Sequence, residues 1–263
     1  MNLRRRNHYL AACLQNGFTD QTGKVWVKFA DRAKPAHRTP QTVGRKRSLY
    51  IREFNGIEDD KVEKFFNQEI ETPFANLVQR VKNEREEFEN INTPEQAALL
   101  KFAASQAVRT LAHRRCIDTQ AGQEVDQNTF IRVMFRQIYT MADTWGKNPP
   151  KLRFFTTLPL ISDYFISGDH PVYVIHLNDN VVWTPTAEPK RQITQLSDLL
   201  NMPNVGFWLH LSPYIAVSVQ PRDSAQTFLP PESIEPRQVR AMNELVRGQS
   251  NEFILARDKE SLT

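Results

Sequence analysis

The run Arg4-Arg5-Arg6-Asn7-His8-Tyr9 puts three guanidiniums, an amide, an imidazole and a phenol side by side. Such a set can hold an anion and move a proton. The imidazole of His8 titrates near neutral pH and can serve as general acid or base. Its ordinary alternative is a hydrogen-bonded surface histidine. Gln106 and Arg109 stand three apart, on one face of a helix. Arg109 can grip a phosphate or an oxyanion with bidentate geometry. It can equally pair with a carboxylate and tie two helices together. Asp169, in Ser167-Gly168-Asp169-His170-Pro171, precedes a strand-like run. An acid in such a turn binds metal, acts as a base or caps the turn. Ser212 and His210 lack the nucleophile elbow that a Ser/His/Asp triad of the hydrolase kind needs around its serine.

The elements that must position these groups follow from periodicity. Lys24 to Phe29 alternates polar and apolar residues, as a half-buried strand does. Residues 30–46, polar and interrupted by Pro35 and Pro40, read as a loop, and Ser48 to Ile51 as a second strand. Asp59 or Asp60 caps a helix whose Val62, Phe65, Phe66, Ile70, Phe74, Leu77, Val78 and Val81 form a buried stripe, with a kink at Pro73. Thr93-Pro94-Glu95-Gln96 reads as a capping box opening a helix that carries Leu99, Phe102, Ala103 and Leu111. Asp126 opens a third helix with Phe130, Val133, Met134, Ile138, Met141 and Trp145 on one face, ended by Gly146 and Pro149-Pro150. Strand-like runs at 152–157, 172–177, 205–209 and 214–219 follow. A closing helix runs from about 233 to 257, broken near Gly248.

This order predicts an α+β fold in one domain over 1–263. Its parts are a basic, β-containing segment 1–55, a helical segment 58–147, a strand-rich segment 151–220 and C-terminal helices 233–258.

Composition narrows the function. The first fifty residues hold eleven Lys and Arg against Asp20 and Asp31, a charge of +9. The other 213 hold 23 basic against 28 acidic residues, a charge of −5. Arg4, Arg5, Arg6, Arg45, Lys46 and Arg47, extended by Arg114, can neutralise the phosphates of a nucleic acid, or simply form a solvated face. Cys13 and Cys116 are too few and too lone for a disulfide framework or a zinc site, and fit a reducing cytoplasm. The apolar runs are strand-sized, so no membrane span is expected, and the residues after Leu10 form no secretory h-region. Nine scattered glycines make neither standard nucleotide-binding loop.

Over nearly its full length the chain resembles a bacterial family, the domain of unknown function 4238. Asn7-His8-Tyr9 and Gly17-Phe18 match its opening, Phe102 to Arg109 its Gln-x-x-Arg helix, Ser167 to Val172 its aspartate motif, and His210-Leu211-Ser212-Pro213 its last motif. Glu69 falls at the family glutamate. The chain departs at Ala11-Ala12, where the family has Pro-Gln, at Gly168 for a serine, and at His210 for a proline. The resemblance implies a site of His8, Glu69, Gln106, Arg109 and Asp169.

On this reading the protein is a nuclease or phosphodiesterase acting on RNA or DNA in the cytoplasm, of the kind a bacterial defence or toxin effector uses. His8 is the acid or base and Arg109 stabilises the phosphorane. Glu69 with Asp169 orients His8 or holds Mg²⁺ or Mn²⁺, cations that prefer carboxylate and water ligands. Two other classes remain open: a non-catalytic module binding nucleic acid or protein, and an enzyme on a small anionic ligand such as a nucleotide.

Overall fold

The computed structural model describes residues 6–54, 57–83, 91–157, 163–176, 182–183, 205–220 and 232–262. Short strands come first: β1 (Arg6–His8), β2 (Val25–Phe29), β3 (Ala36–Arg38), β4 (Arg45–Arg47), β5 (Arg52–Phe54) and β6 (Ile57–Asp59), with a five-residue helix α1 (Ala12–Asn16) after β1. The expected strand at 24–29 forms as β2, with Val25 and Val27 buried. Two other expectations change. The stretch 30–46 holds β3 and the start of β4, strands of three residues each and too short to show a period. Residues 48–51 form a turn, because Ser48 takes the left-handed φ of 56° and ends β4.

The helical middle comprises α2 (Lys61–Phe65), a π-helical segment Phe66–Glu71, α3 (Thr72–Asn83), α4 (Thr93–Val108), α5 (Leu111–Ala121) and α6 (Gln127–Lys147). The π segment stands immediately before Pro73. Proline has no N–H, and its ring collides with the carbonyl four residues back, so the helix widens there. The Thr72 hydroxyl donates to the Asn67 carbonyl, five residues back, at 2.7 Å. The cap of α4 lies one residue earlier than expected: Asn92 and Glu95 form the reciprocal box. That helix does not reach Leu111. Arg109 leaves the helical conformation at φ −94°, ψ 6°, and Thr110 caps α5 by accepting from the His113 N–H. Asp126 caps α6 as read from the sequence. Phe66, Ile70, Phe74 and Leu77 meet Phe102, Phe130, Met134 and Met141 in the main core, where the Phe74 and Phe102 rings stack.

The last part returns to strands: β7 (Lys151–Thr157), β8 (Ser167–Gly168), β9 (Val172–His176), β10 (Val182–Trp183), β11 (Val205–His210), β12 (Ile215–Gln220) and β13 (Glu232–Ile234). Helix α7 (Pro236–Gln249) and β14 (Phe253–Ala256) close the described chain. The expected closing helix therefore stops at Gln249. Beyond a polar turn, Phe253–Ala256 are apolar and pair antiparallel with β2, a partner more than 200 positions away. Two larger sheets result, ordered β10-β9-β11-β12-β7-β13 and β3-β2-β14-β8. The fold is α+β, with helices in the middle and sheets built from both ends. Among the described residues, no helix is long and apolar enough to cross a membrane.

Candidate functional site

The N-terminal segment is the axis of the site. β1 pairs antiparallel with β4, setting Arg6 opposite Arg47, Asn7 opposite Lys46 and His8 opposite Arg45. Gly44 makes the approach tight: its carbonyl accepts from both Tyr9 N, at 2.8 Å, and Leu10 N, at 3.1 Å. Its φ is 62°, and a Cβ there would lie 2.6 Å from Leu10 Cβ. Asn7 is buried, and its Oδ1 accepts from the Tyr50 N–H at 3.1 Å. Gln15, also buried, donates to the carbonyls of Leu10 and Val43 at 3.0 and 3.1 Å. Asn7 and Gln15 thus enter the core with backbone partners, while among the described residues Gln15 Oε1 is buried without one.

Two residues of α4 and its end complete this frame. Gln106 Oε1 accepts from the Ala11 N–H at 3.3 Å, and Gln106 Nε2 is buried without a partner among the described residues. Arg109 is fully buried. Its Nη1 donates to Glu71 Oε1 at 2.6 Å, its Nη2 donates to the His8 carbonyl, and its Cζ lies 4.3 Å from the centre of the Phe66 ring. The Tyr50 hydroxyl donates to the Arg109 carbonyl at 2.7 Å. The guanidinium is enclosed by protein and holds the backbone of His8.

His8 itself is half-buried. Its Nε2 lies 3.2 Å from the Gln41 carbonyl oxygen. A carbonyl only accepts, so Nε2 carries the proton and the neutral ring has its lone pair on Nδ1. Burial lowers the His8 pKa, and the nearby Glu71 carboxylate works against that shift while Arg109 and Arg45 add to it. The ring is therefore neutral at neutral pH, the form a general base needs.

Asp169 reaches the same segment from another side. It is 1% exposed, and its oxygens accept from the Asn251 N–H at 3.0 Å and the Glu252 N–H at 3.2 Å. Burial raises its pKa to about 6 against the pull of those N–H groups. Its charge bears on the Tyr9 and Tyr173 phenols, which burial first, and Asp169 second, push upward. The charges that bear on His8 are those of Glu71, Arg109 and Arg45. His8 and Asp169 thus answer to different sets of charges.

The residues singled out in the sequence divide accordingly. His8, Gln106 and Arg109 converge on residues 8–11, and Asp169 approaches through Tyr9. Glu69 does not join them: it is exposed, and Glu71 holds the place beside Arg109. The family resemblance places Glu69 in the site; both glutamates lie in the π segment, and it is Glu71 that faces inward. Among the described residues, no group of three His, Cys, Asp or Glu could hold a metal ion, and the Asp169 oxygens already face two backbone N–H groups. Gln15 and Tyr50 join the site without a signal in the sequence, since an isolated polar residue gives no sign of burial. Cys13 also lies within reach of Glu71 and Arg109, its thiol pKa pushed up by burial and then by Glu71.

Of the basic residues, Arg45, Lys46 and Arg47 are exposed on β4. Arg4 and Arg5 lie outside the described residues. Arg114 does not belong with them. It bonds Gln127 Oε1 at 3.0 Å, Asp118 at 3.4 Å and the Val125 carbonyl, and stacks on Phe130 at 4.7 Å. It holds α5 to the start of α6 and has little left for a phosphate.

The fold and site define an α+β protein whose N-terminal strand is drawn into the core by a buried arginine, beside an exposed basic ribbon. Residues 6–260 match the family described as "Protein of unknown function (DUF4238)", and the chain belongs to that family. No curated protein and no solved structure matches it.

Proposed function

We propose that this protein is a nuclease acting on RNA or DNA, with the β1–β4 ribbon binding the phosphate backbone and His8 moving the proton. The supporting observation is the register of that ribbon. His8 pairs with Arg45, two positions from Arg47, so its neutral ring lies among exposed cations. Like charges crowded on a small ribbon repel one another, and an anion relieves this. RNA suits the arrangement best, because its 2′-hydroxyl is a nucleophile within the substrate. Nδ1 of His8 takes the 2′-hydroxyl proton, the 2′-oxygen bonds to phosphorus, and the 5′-oxygen leaves and takes a proton from water. Arg45 and Arg47 stabilise the developing charge. Arg109, Glu71 and Gln106 act by positioning the backbone of residues 8–11. The two free cysteines suit a reducing cytoplasm, where cleavage of nucleic acid would serve a defence or toxin effector.

The second reading, a non-catalytic nucleic-acid-binding module, draws on Gln106, Arg109 and Asp169 being engaged with backbone groups or Glu71. One experiment separates the two. Pure protein is incubated with labelled RNA and DNA, with and without Mg²⁺ or Mn²⁺, beside His8→Ala and Arg45→Ala/Arg47→Ala variants. Cleavage that His8→Ala abolishes while the fold and binding persist supports the nuclease. Salt-dependent binding without cleavage, lost in the arginine variant, transfers the assignment to the module. Cleavage unchanged in His8→Ala removes His8 from the chemistry.

A further inference from the structure

The solvent side of α6 carries two cations and a ring in line. Asn128, Arg132, Arg136 and Tyr139 recur at spacings of four, four and three, so they share one stripe of the helix, and all four are exposed. Phe130, Met134, Ile138 and Met141 are buried on the opposite side. Tyr139 is 59% exposed, yet its ring is held from below. It stacks on Phe135 with ring centres 6.1 Å apart. Phe135 stacks in turn on Phe66 at 5.8 Å and meets Phe65 edge-on at 5.3 Å. Phe66 is the ring against which the Arg109 guanidinium lies. A column of planar groups thus runs from the buried arginine that holds His8 out to a tyrosine in solvent.

The cations of the stripe lack local answers. Arg132 and Arg136 stand one turn apart, where like charges repel, and among the described residues neither forms an ion pair. On α6 and its cap the carboxylates are Asp126 and Asp143. Asp126 accepts from the Thr129 N–H and hydroxyl, bonds that lower its pKa first, with Arg132 the last contributor. Asp143 pairs with Lys147 at 2.7 Å. The first turn of α6 is tied to the chain just after β4. Gln127 donates to the carbonyl of Leu49, and Asn128 Nδ2 donates to that of Glu53 at 2.9 Å. The stripe therefore starts beside the end of the β1–β4 ribbon, and from Asn128 to Tyr139 it extends about 16 Å along the helix axis.

We propose that this stripe binds a single-stranded stretch of RNA, with Arg132 and Arg136 on its phosphates and a base stacked on the open face of Tyr139. This role rests on the nucleic-acid substrate proposed above and extends its contact beyond the ribbon. Cations followed by a ring suit a polyanion that carries flat bases. The stacking demands an unpaired base, because a base inside a duplex has both faces covered by its neighbours.

The test is fluorescence anisotropy of the full chain with two labelled probes, a single-stranded 2′-O-methyl oligouridylate and its duplex with 2′-O-methyl oligoadenylate. Without a free 2′-hydroxyl neither probe is cut by the route above. Tyr139→Ala, Tyr139→Phe and Arg132→Gln/Arg136→Gln are measured beside Arg45→Ala/Arg47→Ala. The expected result is that Tyr139→Ala weakens single-strand binding about tenfold, that Tyr139→Phe does not, and that neither changes duplex binding. Arg132→Gln/Arg136→Gln should lower the slope of log affinity against log salt for the single strand by about 1.4. Binding of this kind without cleavage of unmodified RNA upholds the proposal and removes only the nuclease. Single-strand binding weakened by the ribbon variant and unchanged in the α6 variants overturns the proposal and leaves the nuclease standing. An equal loss for both probes in Tyr139→Ala also overturns it, since a stacked base cannot account for that loss. Binding of neither probe overturns both.

Discussion

Arg109 and Glu71 form an ion pair, Nη1 to Oε1 at 2.6 Å, in which the arginine has no exposed surface and the glutamate is 16% exposed. The same guanidinium binds the His8 carbonyl, so one buried charge joins the end of α4, the π segment before α3 and the N-terminal strand. Removing one partner of such a pair strands the other charge and costs about 3–5 kcal/mol. Arg109→Ala should lose stability in that range in urea unfolding. Arg109→Lys should recover only part of it, because a lysine cannot reach two acceptors with a planar fork.

The two glutamates of the π segment should behave unequally. Glu71→Ala should destabilise on the scale of Arg109→Ala, and the double variant should cost far less than the sum of the two. Glu69→Ala, at an exposed position, should change stability by no more than about 0.5 kcal/mol. Matching losses for the two glutamates would contradict the geometry.

Gly44 should resist substitution. Its φ of 62° suits glycine, and an added Cβ would meet Leu10 at 2.6 Å. Gly44→Ala should cost on the order of 1–3 kcal/mol and should pull Tyr9 and Leu10 from the carbonyl they share. Faster amide exchange at those two residues is the direct readout.

Asp169→Ala removes the acceptor of the Asn251 and Glu252 N–H groups, in the turn that brings β14 back to β2. Asn251 is exposed and Glu252 half-buried, so water reaches the freed N–H groups and the loss should be about 1 kcal/mol or less for each. Hydrogen exchange at residues 251–252 should accelerate. Asp169→Asn should retain part of the protection through its one carbonyl oxygen.

Stability should fall on acidification. Burial lowers the pKa of His170 to about 3 and those of His113 and His210 to about 4. Below pH about 6.5 the unfolded chain takes up protons at these rings that the folded chain refuses. Their contribution is complete above that pH and is lost as pH falls towards 4. Asp169 has the opposite sign: with a folded pKa of about 6, its contribution is complete below the ordinary value of 3.8 and is lost as pH rises through 6. Three groups outweigh one, so the unfolding free energy should drop by about 2.5 kcal/mol per pH unit near pH 5. Urea midpoints at pH 7.5, 6 and 5 test this, and His170→Gln should flatten the slope.

The α+β class, the three long helices and most of the long strands follow from the sequence by itself, because burial of one face writes its period directly into the chain. The caps Asp126 and Asn92, the latter one residue from its expected place, are legible for the same reason: they act on their own next turn. His8, Gln106, Arg109 and Asp169 stand out by chemical type. Their company does not. That Glu71 rather than Glu69 meets Arg109 depends on a π turn imposed at Pro73. That Asn7, Gln15 and Tyr50 are buried depends on Gly44 closing over Leu10. The β14 pairing with β2, which replaces an expected helix, depends on an open strand edge offered from more than 200 residues away. Local free energies set the elements; the hydrogen bonds and charges that have no local partner are met only across the fold, and so only the tertiary structure decides them.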